Sequence, residues 1–223
     1  MYCYVSSVDY YNTTTDSQGF AEFALPLSKG SYTLFLINPE TSEVVNDTIK
    51  VFDVLKGNKD IEMYYDSGKY YKVRVYGDDG KPVGAGKKVK FAIGSKTVTK
   101  KTDKKGYAKV KITVKPGAYY IGALYKDFAV VNVLLVNQVI EPKTSYSAKV
   151  AKATIKYKVK FLGKNKKNKK ITVKFNKKKY TAKTNKKGIA TFTLKTPKKV
   201  GYYKLVASYK KSKVTSIYYK YYA

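Results

Sequence analysis

Apolar and polar residues alternate along most of this chain with a period of two. The stretch "GYAKVKITV" (106–114) sets Ala108, Val110, Ile112 and Val114 on one side and Lys109, Lys111 and Thr113 on the other. That is the pattern of a half-buried strand, apolar face inward and lysines in water. "YYKVRVY" (70–76) predicts a strand that buries Val73 and Val75, and "KKVKFAI" (87–93) one that buries Val89, Phe91 and Ile93. "AYYIGALY" (118–125) directs Tyr119, Ile121, Ala123 and Tyr125 inward, and "FAVVNVLLV" (128–136) predicts a closing strand. Further on, "IKYKVKF", "KKITVKF", "KYTAKT", "GIATFTL", "YYKLVASY" and "VTSIYYKYY" lay out the same plan. No stretch carries a helical period. Short strands with turn signals roughly every 8–12 residues predict an all-β chain of antiparallel sandwiches.

The pattern is also repeated. "TDSQGFAEF" (15–23), "TDKKGYAKVKI" (102–112) and "TNKKGIATFTL" (184–194) share one motif, with Gly19, Gly106 and Gly188 in register. A second glycine follows each (Gly30, Gly117, Gly201), with Tyr32, Tyr119 and Tyr203 two residues on. The spacings, 82 to 87 residues, are too long for a solenoid unit and suit one small β domain. The chain therefore reads as three units, 1–65, 66–136 and 137–223. Asp16, Asp103 and Asn185 suit a tight turn, where an Asx side chain bonds the backbone and Gly closes the loop. Each stands alone, unlike the several oxygens a calcium loop needs. Aligning the first copy on the second sets Met1 near Lys88, inside a strand, with no counterpart of "YYKVRVYGDDGKPVG". The first unit reads as a truncated repeat with an open edge. The expectation is a longer chain with further repeats upstream, the other possibility being a partner strand that completes the unit.

Charge changes the picture most. The 223 residues carry a net charge of +31, distributed unevenly: residues 1–65 hold −5, 66–136 hold +11 and 137–223 hold +25. Arg74 is the single arginine. A field this one-sided attracts polyanions and weakens with salt. Lysine supplies solvated point charges rather than the bidentate fork that reads bases, which fits a diffuse anionic wall polymer better than a specific nucleic-acid site. The densest clusters fall in turns: Lys164, Lys166, Lys167, Lys169 and Lys170; Lys177, Lys178 and Lys179; Lys186 and Lys187; Lys198 and Lys199. These are the candidate polyanion contacts, against the plainer reading of a coat that keeps strands soluble. Asn12 and Asn46 begin N-glycosylation patterns.

Other chemistry is mostly excluded. With no histidine there is no Ser-His or Cys-His pair and no His-ligated metal, and the single cysteine, Cys3, permits no internal disulfide. Asp78 and Asp79 are adjacent in a turn, and Glu141 is the one acid after residue 136, so paired carboxylate catalysis has no place there. Neither enzyme activity nor a cofactor is expected. The longest apolar run, 128–136, is strand-length and interrupted by Asn132, so no membrane span is expected. The opening residues lack the basic-then-apolar layout of an export signal. A Lys–Asn cross-link from Asn132 to Lys72, or to a lysine placed like Lys156, would need a buried acid that no strand of the second or third unit supplies.

Residues 64–125, with their "YYDSG" opening, "DDGKPV" turn, "TDKKGYA" hairpin and "KPGAYY" turn, resemble the bacterial-type Ig-like repeats of adhesin-like surface proteins of methanogenic archaea. The likeness extends over 64–136, more loosely over 140–220, and over 1–55 as a truncated copy. It implies tandem Ig-like antiparallel β-sandwich domains in an extracellular, wall-associated protein that attaches or spaces rather than catalyses. Three readings stand. In the first, the Lys-rich end associates with an anionic cell-wall polymer. In the second, tyrosines such as Tyr218, Tyr219, Tyr221 and Tyr222 contact a glycan or protein on another cell. In the third, the chain binds nucleic acid with low specificity.

Overall fold

The computed structural model describes residues 1–142, 145–149 and 153–222, and every regular element among them is a strand. In the first unit β1 (Tyr2–Val5), β2 (Asp9–Asn12), β3 (Gly30–Ile37) and β4 (Val44–Val51) form one antiparallel sheet, ordered β2-β1-β3-β4. The second unit runs β5 (Leu55–Lys56), β6 (Ile61–Tyr64), β7 (Tyr70–Val75), β8 (Lys88–Ile93), β9 (Lys96–Lys101), β10 (Tyr107–Lys111), β11 (Gly117–Tyr125) and β12 (Phe128–Asn137). Its two sheets are β10-β7-β5 and β6-β12-β11-β8-β9. The third runs β13 (Ile140–Pro142), β14 (Ser145–Lys149), β15 (Thr154–Phe161), β16 (Lys170–Phe175), β17 (Lys178–Lys183), β18 (Ile189–Lys195), β19 (Gly201–Tyr209) and β20 (Ser212–Tyr221). It repeats the topology as β13-β15-β18 and β14-β20-β19-β16-β17.

In each complete unit the opening strand divides between the sheets. β5 and β13 pair antiparallel with β7 and β15, whereas β6 and β14 lie parallel to β12 and β20. Three strands facing five, with the first shared, is the immunoglobulin-like sandwich. The pairing also moves one boundary. Residues 55–65, read from sequence with the first unit, belong to the sheets of the second, because Leu55 and Met63 are buried in its core.

The alternation settles which side chains that core holds. Val73, Val75, Val89, Phe91, Ile93, Ala108, Val110, Ile112, Ile121 and Ala123 are all buried. At the "TDKKGYA" hairpin the Asp103 carboxylate accepts the amides of Lys105 and Tyr107 at 2.9 and 3.0 Å. Gly106 follows with φ +78°, and a Cβ there would stand 2.9 Å from the Val83 carbonyl oxygen. Asp16 accepts the amides of Gln18 and Phe20, and Asn185 that of Ile189, in the same role. The tyrosines after the second glycines form three tyrosine corners, a hallmark of this fold. The hydroxyls of Tyr32, Tyr119 and Tyr203 donate to the carbonyls of Ser28, Lys115 and Lys199 at 2.8, 3.0 and 2.9 Å.

By register, Cys3 and Val5 of the first unit oppose Leu36 and Leu34 as Phe91 and Ile93 oppose Ala123 and Ile121. Met1 thus takes the place of Val89, one residue from the sequence alignment. What this unit lacks is larger than one strand: among the described residues nothing corresponds to the sheet β10-β7-β5.

Candidate polyanion-binding surface

The third unit positions its lysines through two pieces of local chemistry. Strand alternation turns every second side chain outward, and a buried threonine ties two basic loops together. The Thr184 hydroxyl donates to the Lys166 carbonyl and accepts the Lys169 amide at 2.8 Å. This brings the loop of Lys164, Lys166, Lys167, Lys169 and Lys170 beside the turn of Lys186 and Lys187. Thr102 plays the same part in the second unit, donating to the Gly84 carbonyl and accepting the Lys87 amide.

The remaining candidates are not part of this cluster. β16 starts at Lys170 and runs away from it, so Lys177, Lys178 and Lys179 lie at the far end of the β16–β17 hairpin. β18 likewise runs away from Gly188, which puts Lys198 and Lys199 at that same far end. Eleven of the twelve candidate lysines are exposed; Lys169 is half-buried, its ammonium 5.6 Å from the centre of the Phe161 ring.

Between the two ends the register adds lysines that turn-based reasoning missed. Lys170 lies directly opposite Lys183, and Lys174 opposite Lys179, on the exposed side of β16–β17. On the other sheet Lys156, Lys158 and Lys160 all point outward from β15. The period-two lysines of "IKYKVKF" were the available signal. Like charges directly opposite each other destabilise a sheet, so a bound polyanion would relieve a cost already built in. Little else relieves it. Among the described residues the carboxylate partners of this unit's lysines are Glu141, 3.9 Å from Lys160, and Asp66 of the second unit, 2.6 Å from Lys210.

The tyrosines divide. Tyr218, read as a surface contact, is fully buried, edge-on to Phe175 at 5.3 Å, because even positions of β20 face the core. Tyr222 is exposed, and Tyr202, Tyr219 and Tyr221 form a stacked row on the outer face, with ring centres 4.5 and 5.7 Å apart. Asn12 and Asn46 are exposed, as glycosylation acceptors must be. Asn132 is not set against a lysine. Its amide oxygen accepts the Tyr71 hydroxyl at 2.7 Å and its nitrogen donates to Asp60 at 3.3 Å, while Lys72 lies over the Tyr107 ring. An acid is thus present beside Asn132, on the link before β6, but among the described residues no lysine is hydrogen-bonded to it. Among the described residues no three His, Cys, Asp or Glu side chains converge as metal ligands, and no helix is long and apolar enough to cross a membrane.

No family model matches the sequence, and no curated protein matches it. Solved structures similar to it include the I9–I11 tandem of titin (14% identity, 87% of this chain and 74% of that one, TM-score 0.44). Another is a 1.5-MDa bacterial ice-binding adhesin described for host cell surface retention (10% identity, 85% and 73% coverage, TM-score 0.26). A third is SGBP-B of the Bacteroides ovatus mixed-linkage glucan utilization locus, solved with a mixed-linkage heptasaccharide (14% identity, 99% and 60% coverage, TM-score 0.25).

Proposed function

We propose that this chain is a non-enzymatic cell-surface segment of three Ig-like units, the first one partial, whose Lys-rich terminal unit associates with an anionic cell-wall polymer. The carrying observation is the charge of 137–223, 26 lysines against one acid in the sequence, with the exposed lysines among the described residues spread over both ends and both sheets and the Lys170–Lys183 and Lys174–Lys179 pairs facing each other across strands. A spread of point charges without an arginine fork suits a flexible polymer that touches many lysines weakly, in place of one shaped site. The tandem sandwiches serve as spacers. The stacked tyrosines, exposed Tyr202 and half-buried Tyr219 and Tyr221, support a second reading, adhesion to a glycan or protein on another cell, because rings on an outer face offer contact area at low entropic cost.

Co-sedimentation of the full chain with purified wall sacculi over a salt series, with duplex DNA as competitor, tests the proposal. Retention at physiological salt that DNA does not displace is the expected result. Replacing Lys170, Lys174, Lys179 and Lys183 by glutamine should weaken retention and reduce its salt dependence. Ready displacement by DNA would sink the wall assignment and favour low-specificity nucleic-acid binding. Binding to a neutral glycan without salt dependence would transfer the function to the tyrosine row.

A further inference from the structure

The outer face of β10-β7-β5, the smaller sheet of the second unit, carries a row in which cations and tyrosine rings alternate. The Lys56 ammonium lies 4.5 Å from the centre of the Tyr76 ring. The Arg74 guanidinium is 5.5 Å from that ring and 5.0 Å from the ring of Tyr107. Lys72 lies over Tyr107 at 4.3 Å, and Lys109 over Tyr70 at 5.4 Å. Arg74 is further fixed by its Nε, which donates to the Lys105 carbonyl at 3.0 Å. β7 sets Tyr70, Lys72 and Arg74 on one side at every second residue, so with Tyr76 just beyond it the row runs about 20 Å along the sheet.

The fold does not require this row. In the third unit the places of Arg74, Lys72 and Tyr107 are held by Lys160, Lys158 and Ile189, and the same three-stranded sheet forms without a ring among them. The row also concentrates charge at a cost. Lys56 stands directly opposite Arg74, and Lys109 opposite Lys72, two like-charge pairs across strands. Among the described residues no carboxylate forms an ion pair with any of the four. The Lys109 charge reaches Asp103, but that carboxylate is held by the amides of Lys105 and Tyr107 in its own turn.

The rings decide what kind of anion fits. A long basic side chain loses rotamer freedom when it binds, and one already held against a ring loses less. The face is thus a preorganised set of cations, unlike the outward lysines of β15. A single-stranded nucleic acid binds a basic platform by stacking its bases on aromatic rings. Here Tyr70, Tyr76 and Tyr107 each already carry a cation, so the rings hold charge in place instead of receiving bases. Anions on a non-aromatic chain meet no such obstacle, and the fork of Arg74, the chain's single arginine, matches a carboxylate in two parallel bonds. We propose that this face is a binding site for an extended polysaccharide bearing carboxylate groups, which lays them along Lys56, Arg74, Lys72 and Lys109. The site is separate from the diffuse attraction of the terminal unit and does not rest on it.

Calorimetric titration of the full chain with hexagalacturonate at physiological salt, which screens scattered charges, tests this. Binding by the native chain is the expected result. Arg74→Lys combined with Tyr107→Ile installs the residues that the third unit holds at these places and leaves the net charge unchanged. The pair should weaken the hexasaccharide by about tenfold or more, since a point charge replaces a bidentate fork. Lys72→Gln with Lys109→Gln, both exposed, should weaken it likewise. Lys88→Gln with Lys90→Gln, an equal loss of charge on the other sheet of this unit, should not. No binding by the native chain would overturn the proposal. So would an affinity unchanged by the Arg74→Lys and Tyr107→Ile exchange, or equal losses in the two glutamine pairs, which would reduce the interaction to bulk charge. A single-stranded oligonucleotide of equal charge that bound more tightly than the hexasaccharide, and was weakened by the same exchange, would make nucleic acid the occupant instead.

Discussion

Asn132 stands out in the sequence as an amide in an apolar strand, but its role depends on Tyr71, 61 residues away. The Tyr71 ring is among the largest fully buried side chains, and its hydroxyl is spent on the Asn132 amide oxygen. Burial, and after it the negative charge of Asp60, push the Tyr71 hydroxyl up to about 12. The folded value thus lies above the ordinary one of about 10. The stability it contributes is fully present below pH ~10 and is lost as pH rises through about 12. Burial also raises the hydroxyls of Tyr157, Tyr209 and Tyr218, so titration of phenolate absorbance should show a group of late-ionising tyrosines that loses one member in Tyr71→Phe. The substituted protein should also lose less stability than the native one between those two pH values. A late-ionising signal left unchanged by Tyr71→Phe would contradict the buried hydrogen bond. Sequence reasoning put Val73 and Val75 in the core but not Tyr71, because alternation identifies a face and not the depth at which a polar tip finds its partner.

Among elements, the Asx–Gly hairpin is the most legible and the most exacting. Its three copies are visible as text, and in all three the Asx side chain accepts the amide four residues on. The reason Gly106 must be glycine is tertiary as well as local. Its φ of +78° alone disfavours a side chain, and a Cβ would also meet the carbonyl oxygens of Val83 and Val75 at 2.9 and 3.0 Å. Gly68, with φ +75°, has nothing within 4 Å of its Cβ position. Gly68→Ala should therefore cost only the left-handed strain, about 1 kcal/mol. Gly106→Ala should cost more, about 2 kcal/mol or above, since backbone must move as well. Denaturant midpoints of the two variants decide the matter, and equal losses would show that the turn alone sets the requirement. The same turn at Asp16–Gly19 shows the limit of local signals. It folds, but residues 20–27 do not become a strand, because strand formation needs a neighbour and none is at hand.

At the scale of the molecule, the second and third units are joined by polar contacts that no motif announced. Asp66 accepts the Lys210 ammonium at 2.6 Å and the Tyr209 hydroxyl at 3.1 Å. Partial burial acts to raise the Asp66 carboxyl, but hydrogen bonds from Lys210 and Tyr209, with the Lys210 charge, outweigh it and hold it below its ordinary value. The clamp's contribution is thus present above the ordinary carboxylate value of about 3.9 and is lost as pH falls through the lower folded one. Small-angle scattering should show the junction between these units broadening only in strong acid. In Asp66→Asn the broadening should be present at neutral pH. Scattering that is the same for both proteins at every pH would mean that the Asp66 contacts do not hold the junction.

The sequence by itself determined the strands, the three-fold repeat, the core of the second unit and the direction of the charge gradient. Each rests on periodicity or composition, which a linear chain displays directly. Tertiary structure decided the rest. It gave residues 55–65 to the second unit, because a strand belongs to the sheet that buries it and not to its neighbours in sequence. It divided the turn lysines between opposite ends of the terminal sandwich and revealed the Lys170–Lys183 and Lys174–Lys179 pairs, because cross-strand register is set by hydrogen bonding between segments. It turned Tyr218 inward and left Tyr219 and Tyr221 outside, since in a run of tyrosines composition cannot show which parity faces the core. Most of all, it showed that among the described residues no second sheet faces β2-β1-β3-β4, a property of what is packed against a strand and not of the strand's own residues.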